Sequence, residues 1–241
     1  MPSDVVDFTH RVQPVDLPEW LDEPRAYEDM RAYMKSLRQV NTLTFGSRST
    51  LKWLEQIVGA GNGRPLRIVD VGCGCGDMLL RIERWAKRRG FAVELTGIDL
   101  SAETVQVAHE FASKGSRVQW IVGDAFSYTE PFDVAISALL THHLEEPEIV
   151  GFLGWMEATA QRGWHVNDLC RERTPYRLFG IAGRALRWHR QVRHDGPVSF
   201  RRSFREADWL RMLASADISS DDVEMRRWTP GRLCVGRTKS A

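Results

Sequence analysis

The stretch Val69-Asp70-Val71-Gly72-Cys73-Gly74-Cys75-Gly76-Asp77 constrains the fold more than any other part of the chain. A β-branched run at residues 67–71 leads into three glycines at alternate positions, and a helical pattern starts at Asp77. Glycines at such a turn let the backbone fold back tightly and let a ligand approach without meeting a Cβ. The dinucleotide fingerprint G-x-G-x-x-G does not fit, because its third glycine falls on Asp77 or on Leu79. No G-x-x-x-x-G-K-[ST] occurs anywhere, which excludes a P-loop. Asp77 at the helix start would also compete with a pyrophosphate for the same backbone N–H groups. The loop therefore suits a nucleoside ligand without phosphates. Cys73 and Cys75 do not make a metal site, since Cys170 and Cys234 supply no ligand spacing. Both thiols are incidental occupants of a glycine loop.

Strand and helix patterns alternate after the loop. Strands are expected at 92–98, 118–122, 132–137 and 164–169, with helices at 77–89, 101–113 and 147–160 between them. This alternation predicts an α/β fold, a doubly wound Rossmann-like parallel sheet with helices on both faces. With 241 residues, 43% of them apolar, the chain can bury a full core. Residues 1–62 read as an irregular, proline-bearing arm followed by a helical cap, with apolar stripes at Met30, Met34, Leu37 and Val40 and at Leu51, Leu54, Ile57 and Val58. Glycine-rich residues 59–63 break that cap from the main domain, 63–241. Within it, residues 170–202 read as a helical insertion over the substrate. Here a helix is expected at 175–190 and a turn at Asp195-Gly196-Pro197. A capping box at Ser203–Glu206 should open a helix to about Ala216, and residues 223–237 should form a β-hairpin.

Two carboxylates follow the strands next to the loop. Asp99 ends the second strand about 25 residues past the glycines, where a carboxylate can accept from both ribose hydroxyls. The alternative is a carboxylate spent on the helix that starts beside Ser101. Asp124 follows the third strand and can accept from an adenine amino group, or simply cap its own loop.

The segments VDVGCGCGD, TGIDLS, VGDAF and FDVAISALLTHHL, in this order and spacing, resemble the class I S-adenosylmethionine-dependent methyltransferases. The resemblance covers about residues 67–168. It implies a seven-stranded sheet whose last strand is antiparallel and inserted beside its neighbour. It also implies that Asp70, Gly72 and Gly74 face the methionine part of S-adenosyl-L-methionine, that Asp99 holds the ribose, and that Leu100 and Ala125 flank the adenine. Asp124 would bind the adenine amino group, and Leu140 would line the pocket. The stretch LRQVNTLTFGSR is similar to the quinone-biosynthesis O-methyltransferases, in which a helix ending in Asn, with an Arg soon after, closes over the cofactor. Arg48 is the matching candidate for the methionine carboxylate.

A methyl transfer to a hydroxyl needs an aligned acceptor and a group that takes its proton. Thr141-His142-His143 follows the fourth strand, at the sheet end where ligands lie. An imidazole there titrates near neutrality, which makes His142 and His143 the candidate catalytic residues, with loop packing as the bland alternative. Asn167-Asp168 ends the fifth strand, but the fourth offers Ser137 and Ala138 where a magnesium site would need a carboxylate. No metal is expected, and Asn167 and Asp168 are read as substrate or loop contacts.

The chain is therefore expected to methylate a small molecule, most simply a hydroxyl of an aromatic or polyketide-like compound in secondary metabolism. C- or N-methylation of a metabolite, or a Rossmann-type NAD oxidoreductase, are the alternatives. A formal charge of +1 argues against bulk-electrostatic nucleic-acid binding. The arginines of residues 171–211 suit a solvated face, a lid over an acidic substrate or a weak membrane-surface contact. Without a signal peptide or an apolar span, a cytoplasmic location is expected.

Overall fold

The structure, a computed structural model, describes residues 6–23, 26–58 and 64–239. The glycine-rich break at 59–63 lies outside the described residues. Seven strands, β1 (Leu66–Val71), β2 (Val93–Asp99), β3 (Gln119–Val122), β4 (Val134–Ala138), β5 (Gly163–Leu169), β6 (Glu224–Trp228) and β7 (Arg232–Thr238), form one sheet. Its order is β3-β2-β1-β4-β5-β7-β6. β7 runs antiparallel to both β5 and β6, while the other pairings are parallel.

Alternate residues of the central strands bury themselves on opposite faces, which is why those strands read as near-continuous apolar runs. Ile68, Val134 and Ile136 pack with Trp53, Leu54 and Ile57 of α2 (Arg48–Val58) and with Leu79, Ile82 and Trp85 of α3 (Asp77–Arg89). Val69, Ala135, Trp164 and Val166 face the other way. They meet Phe152, Leu153 and Met156 of α5 (Glu146–Thr159) and Trp209, Met212 and Leu213 of α8 (Glu206–Ser215). The fold class is thus the one the sequence implies. α4 (Ala102–Phe111) opens at Ser101, whose hydroxyl accepts from Thr104 N at 3.1 Å.

Two local expectations need correction. The turn expected at Asp195-Gly196-Pro197 is the middle of a helix, α7 (Arg190–Arg202). It packs on α6 (Arg173–Ala185), and a Cβ on Gly196 would lie 2.0 Å from the Phe179 ring. Gly196 serves close helix approach rather than a turn, and the burial of Val192, Val198 and Phe200 outweighs the helix-breaking tendency of Pro197. The capping box at Ser203 is displaced by two residues: Arg205 N donates to Asp208 Oδ2 at 2.7 Å, and Ser203 instead donates to Phe200 O. The two apolar stripes of the helical cap fall on two helices, α1 (Tyr27–Leu43) and α2, separated where Phe45 adopts φ 52°. No helix among the described residues is long and apolar enough to cross a membrane.

His165 of β5 is fully buried and stacks on Trp53, with ring centroids 5.1 Å apart. Burial lowers its pKa to about 3, so the folded ring stays neutral. The unfolded chain protonates it near the ordinary histidine value of about 6.5. Stability should therefore fall as pH drops from that value toward 3, at up to about 1.4 kcal/mol per pH unit. Urea unfolding across this window should show a shallower pH slope for His165→Phe than for the native chain.

Candidate active site

A cavity of about 670 Å³ opens over the C-terminal ends of the parallel strands, within the size range of small-molecule sites. Three kinds of surface line it.

The first is the glycine loop. Gly74 adopts φ 53°, and a Cβ there would meet nothing within 4 Å, so the backbone presents a bare face. Gly74 N donates to Asp99 Oδ2 at 2.8 Å. The other Asp99 oxygen accepts from Ser101 N at 3.0 Å and Thr104 Oγ1 at 3.1 Å. Asp99 thus ties the loop to the end of β2 and still lines the cavity, as do Gly72 and Leu140. Asp70 is buried beneath the loop with Oδ1 unpartnered, and burial, with Asp77 and Asp99 nearby, pushes its carboxyl well above the usual range.

Beside the loop stands a polar group drawn from distant elements. Arg232 of β7 donates to Asn41 Oδ1 and Asn167 Oδ1, both at 3.2 Å, and Asn41 Nδ2 donates to Asp77 Oδ2 at 3.3 Å. Asn41, Asp77 and Arg232 all line the cavity.

The third surface is a histidine cluster facing an apolar wall. The short turn Thr141–His143 follows β4, and the buried Asp168 at the end of β5 holds it. Asp168 accepts from Thr141 Oγ1 at 2.5 Å and from His142 N at 3.1 Å, and lies 2.7 Å from His142 Nδ1. Burial alone would push this carboxyl up, but His142 and Thr141 outweigh it and hold Asp168 below the usual range. Two carboxylates come from the N-terminal arm. Glu19 Oε1 lies 3.7 Å from His142 Nε2, Glu19 Oε2 lies 3.9 Å from His143 Nε2, and Asp22 Oδ1 lies 3.1 Å from His143 Nδ1. Burial raises the Glu19 carboxyl against the pull of His143 and Arg202. Met30, Met34, Leu37, Phe179, Trp188 and Phe200 form the apolar wall.

The cavity gathers Gly72, Gly74, Asp99, Leu140, His142 and His143 from the sequence-predicted set. Arg48 is not among them: it is exposed at the start of α2, with its guanidinium 5.9 Å from the Trp228 ring centroid. Arg232 is the cation that lines the cavity, and only the fold brings β7 there. Asp124 is exposed and caps its own loop by accepting from Phe126 N at 3.0 Å. Ala125 is in the core, and Leu100 is 78% exposed where β2 and β3 end side by side. Asp168 is a loop contact, one of the two roles read for it. Sequence reasoning missed Glu19 and Asp22, because nothing in an aperiodic arm marks two acids among many.

Residues 68–163 match the family described as "Methyltransferase domain". Indolepyruvate C-methyltransferase of Streptomyces griseus is 35% identical over 89 residues, covering 34% of this chain and 26%, about a quarter, of that protein. Demethylmenaquinone methyltransferase of Bacillus licheniformis is 23% identical over 194 residues, 80% of this chain and 81% of the relative. Among solved structures, magnesium protoporphyrin IX methyltransferase from Synechocystis PCC 6803 with bound SAH superposes with a TM-score of 0.56 at 17% identity, covering 90% of each chain. The plantazolicin methyltransferase BamL, in complex with a triazolic desmethylPZN analogue and SAH, gives a TM-score of 0.60 at 15% identity, over 87% of this chain and 95% of that one. The domain match over residues 68–163, the strand order and the glycine loop support a class I S-adenosylmethionine-dependent methyltransferase. Its cofactor is accordingly S-adenosyl-L-methionine, which sets the nicotinamide alternative aside.

The loop's geometry has a direct test. Gly76 adopts φ 70°, and a Cβ there would lie 2.1 Å from the Trp120 ring. Gly76→Ala should destabilise the fold by at least about 2 kcal/mol, measured by urea unfolding.

Proposed function

We propose that this enzyme methylates a small, largely apolar acceptor at a hydroxyl, with the proton removed at the His142–His143–Glu19 cluster. One observation carries the reading: a single cavity joins the glycine loop, an apolar wall and a buried histidine–carboxylate cluster. The cofactor supplies a methyl group already activated on a sulfonium. The protein's work is to hold two partners in line and to take a proton from one of them.

The residues fit the cofactor. Gly72 and Gly74 offer a face free of Cβ atoms, Leu140 forms the floor, and the cavity exceeds one nucleoside in size. Asp99 takes the ribose hydroxyls, with Leu100 and Ala125 flanking the adenine and Asp124 turned to its amino group. Asp70 supports the loop from beneath. Arg232 takes the methionine carboxylate, the role Arg48 is too distant to play, and Asp77 takes the amino group. The acceptor lies between α1 and the 170–202 insertion, which acts as its lid.

Asp168 fixes the His142 ring through Nδ1, leaving Nε2 toward the cavity. A small apolar acceptor agrees with the named substrates of several similar enzymes, among them an indolepyruvate and a porphyrin. The C-methyltransferase relative favours a second reading, in which the cluster takes a proton from an enolisable carbon. NMR of the methylated product separates the two, since O–CH3 and C–CH3 carbons resonate far apart.

Asp99→Ala should weaken S-adenosylmethionine binding by at least about 50-fold, through loss of charge-assisted hydrogen bonds. Calorimetry finding unchanged affinity would remove the ribose assignment. Asp168→Asn and His142→Ala should each lower kcat by about 100-fold or more. Cofactor Kd should stay within a factor of about two in both, since neither residue lies in the cofactor half.

A further inference from the structure

The Glu19–His142–His143 arrangement has a geometry that hydrogen bonding does not explain. The Glu19 oxygens lie 3.7 and 3.9 Å from the two Nε2 atoms, too far for hydrogen bonds. One ligand atom from each of the three residues lies within 4.8 Å of the others. Two atoms each about 2.1 Å from one ion, at angles of about 110–130°, sit about 3.4–3.8 Å apart. The 3.7 Å separation, to Oε1, falls within that spacing, and the 3.9 Å one, to Oε2, lies just above it.

The second sphere agrees. His142 Nδ1 faces Asp168 at 2.7 Å, and His143 Nδ1 faces Asp22 at 3.1 Å. Each imidazole is thus held by a carboxylate on one nitrogen with the other nitrogen toward Glu19, the pattern that orients metal-ligating histidines. Glu19 is itself fixed by Ser199, whose hydroxyl donates to Oε1 at 2.7 Å. Arg202 donates to Asp22 Oδ2 at 2.9 Å and lies 3.7 Å from Glu19 Oε1, so a guanidinium backs the carboxylates from one side.

We propose that Glu19, His142 and His143 bind one divalent transition-metal ion at the acceptor end of the cavity. Two imidazoles and one carboxylate suit Zn²⁺, Fe²⁺ or Mn²⁺ and leave positions open for an acceptor oxygen. The ion's part in the reaction rests on the methyl-transfer reading above; ion binding stands apart from it. The ion acidifies the acceptor O–H, whose proton leaves to solvent. The oxygen then forms the O–CH3 bond as the S–CH3 bond breaks, its electron pair staying on sulfur.

The test uses the untagged full chain, stripped with EDTA and titrated with Zn²⁺ and Co²⁺ by calorimetry, with the visible spectrum of Co²⁺ as a second readout. Saturable binding of one ion per chain, with a ligand-field band for Co²⁺, is expected. His143 is partly exposed, so His143→Ala should fold, as circular dichroism will show. His143→Ala and Glu19→Gln should each weaken binding by about 100-fold, and Asp22→Asn by at least about 10-fold. Absence of one-to-one binding, or equal affinity in His143→Ala, overturns the site as an adventitious ion only. Full turnover of the stripped enzyme in EDTA overturns the ion's part in the reaction and leaves His142 as the base. One-to-one binding with no methyl transfer to any acceptor would uphold the site and fault the methyl-transfer reading instead.

Discussion

The buried contact between Asp168 and His142 organises the acceptor half of this molecule. A carboxylate with no exposure to water must be compensated, and here one hydroxyl, two backbone N–H groups and an imidazole do so. Those donors come from β5 and from the turn after β4, two neighbours in the sheet. Removing the carboxylate would leave Thr141 and His142 without their partner in a closed interior. The turn's path, and with it the direction of both imidazoles, depends on this one group.

The N-terminal arm depends on the turn in its own right. Arg11 donates to the carbonyls of Leu144 and Arg202, and Arg202 Nε donates to His142 O at 3.0 Å. Trp20 N donates to Asp195 Oδ1 at 2.9 Å, which fastens the arm to α7. Arm, turn and α7 therefore form one hydrogen-bonded block in which carbonyls left over by irregular backbone are met by guanidiniums. Glu19 and Asp22 arrive at the histidines as part of that block. Among the described residues the arm has only short 3-10 turns, and it joins the site because its polar groups pair with the turn, with α7 and with Arg171.

The sheet and its cofactor loop were legible in the sequence because their signals are local. Alternating patterns mark strands covered on both faces, and the glycines of 72–76 mark a turn that other residues cannot make. Asp99 could be placed from its distance to that loop. Arg232, Glu19 and Asp22 could not, because their positions follow from the strand order and from contacts spanning more than 100 residues. Arg48, named from the resemblance of LRQVNTLTFGSR, lies outside the cavity lining because α2 turns its side chain toward Trp228. Asp195-Gly196-Pro197 misled as well, since a turn-like composition yielded to the packing of Phe179 over Gly196.

The two halves of the cavity are built by different rules. Strand ends and the loop, joined by Asp99, form the half proposed for the cofactor, and the repeated β–α unit dictates their geometry. The acceptor half comes from the arm, α1, α6 and α7, none of which the sheet requires. Its apolar wall faces a cluster in which a carboxylate holds each imidazole at Nδ1 while each Nε2 lies beyond hydrogen-bond reach of Glu19. An acceptor that is apolar over most of its surface and polar at one point fits this contrast in one orientation only. On the proposed reading, burial of its apolar part against Met30, Phe179 and Phe200 drives it inward and brings its polar atom to the histidines. On that reading, the contrast orients the acceptor before any catalytic group acts.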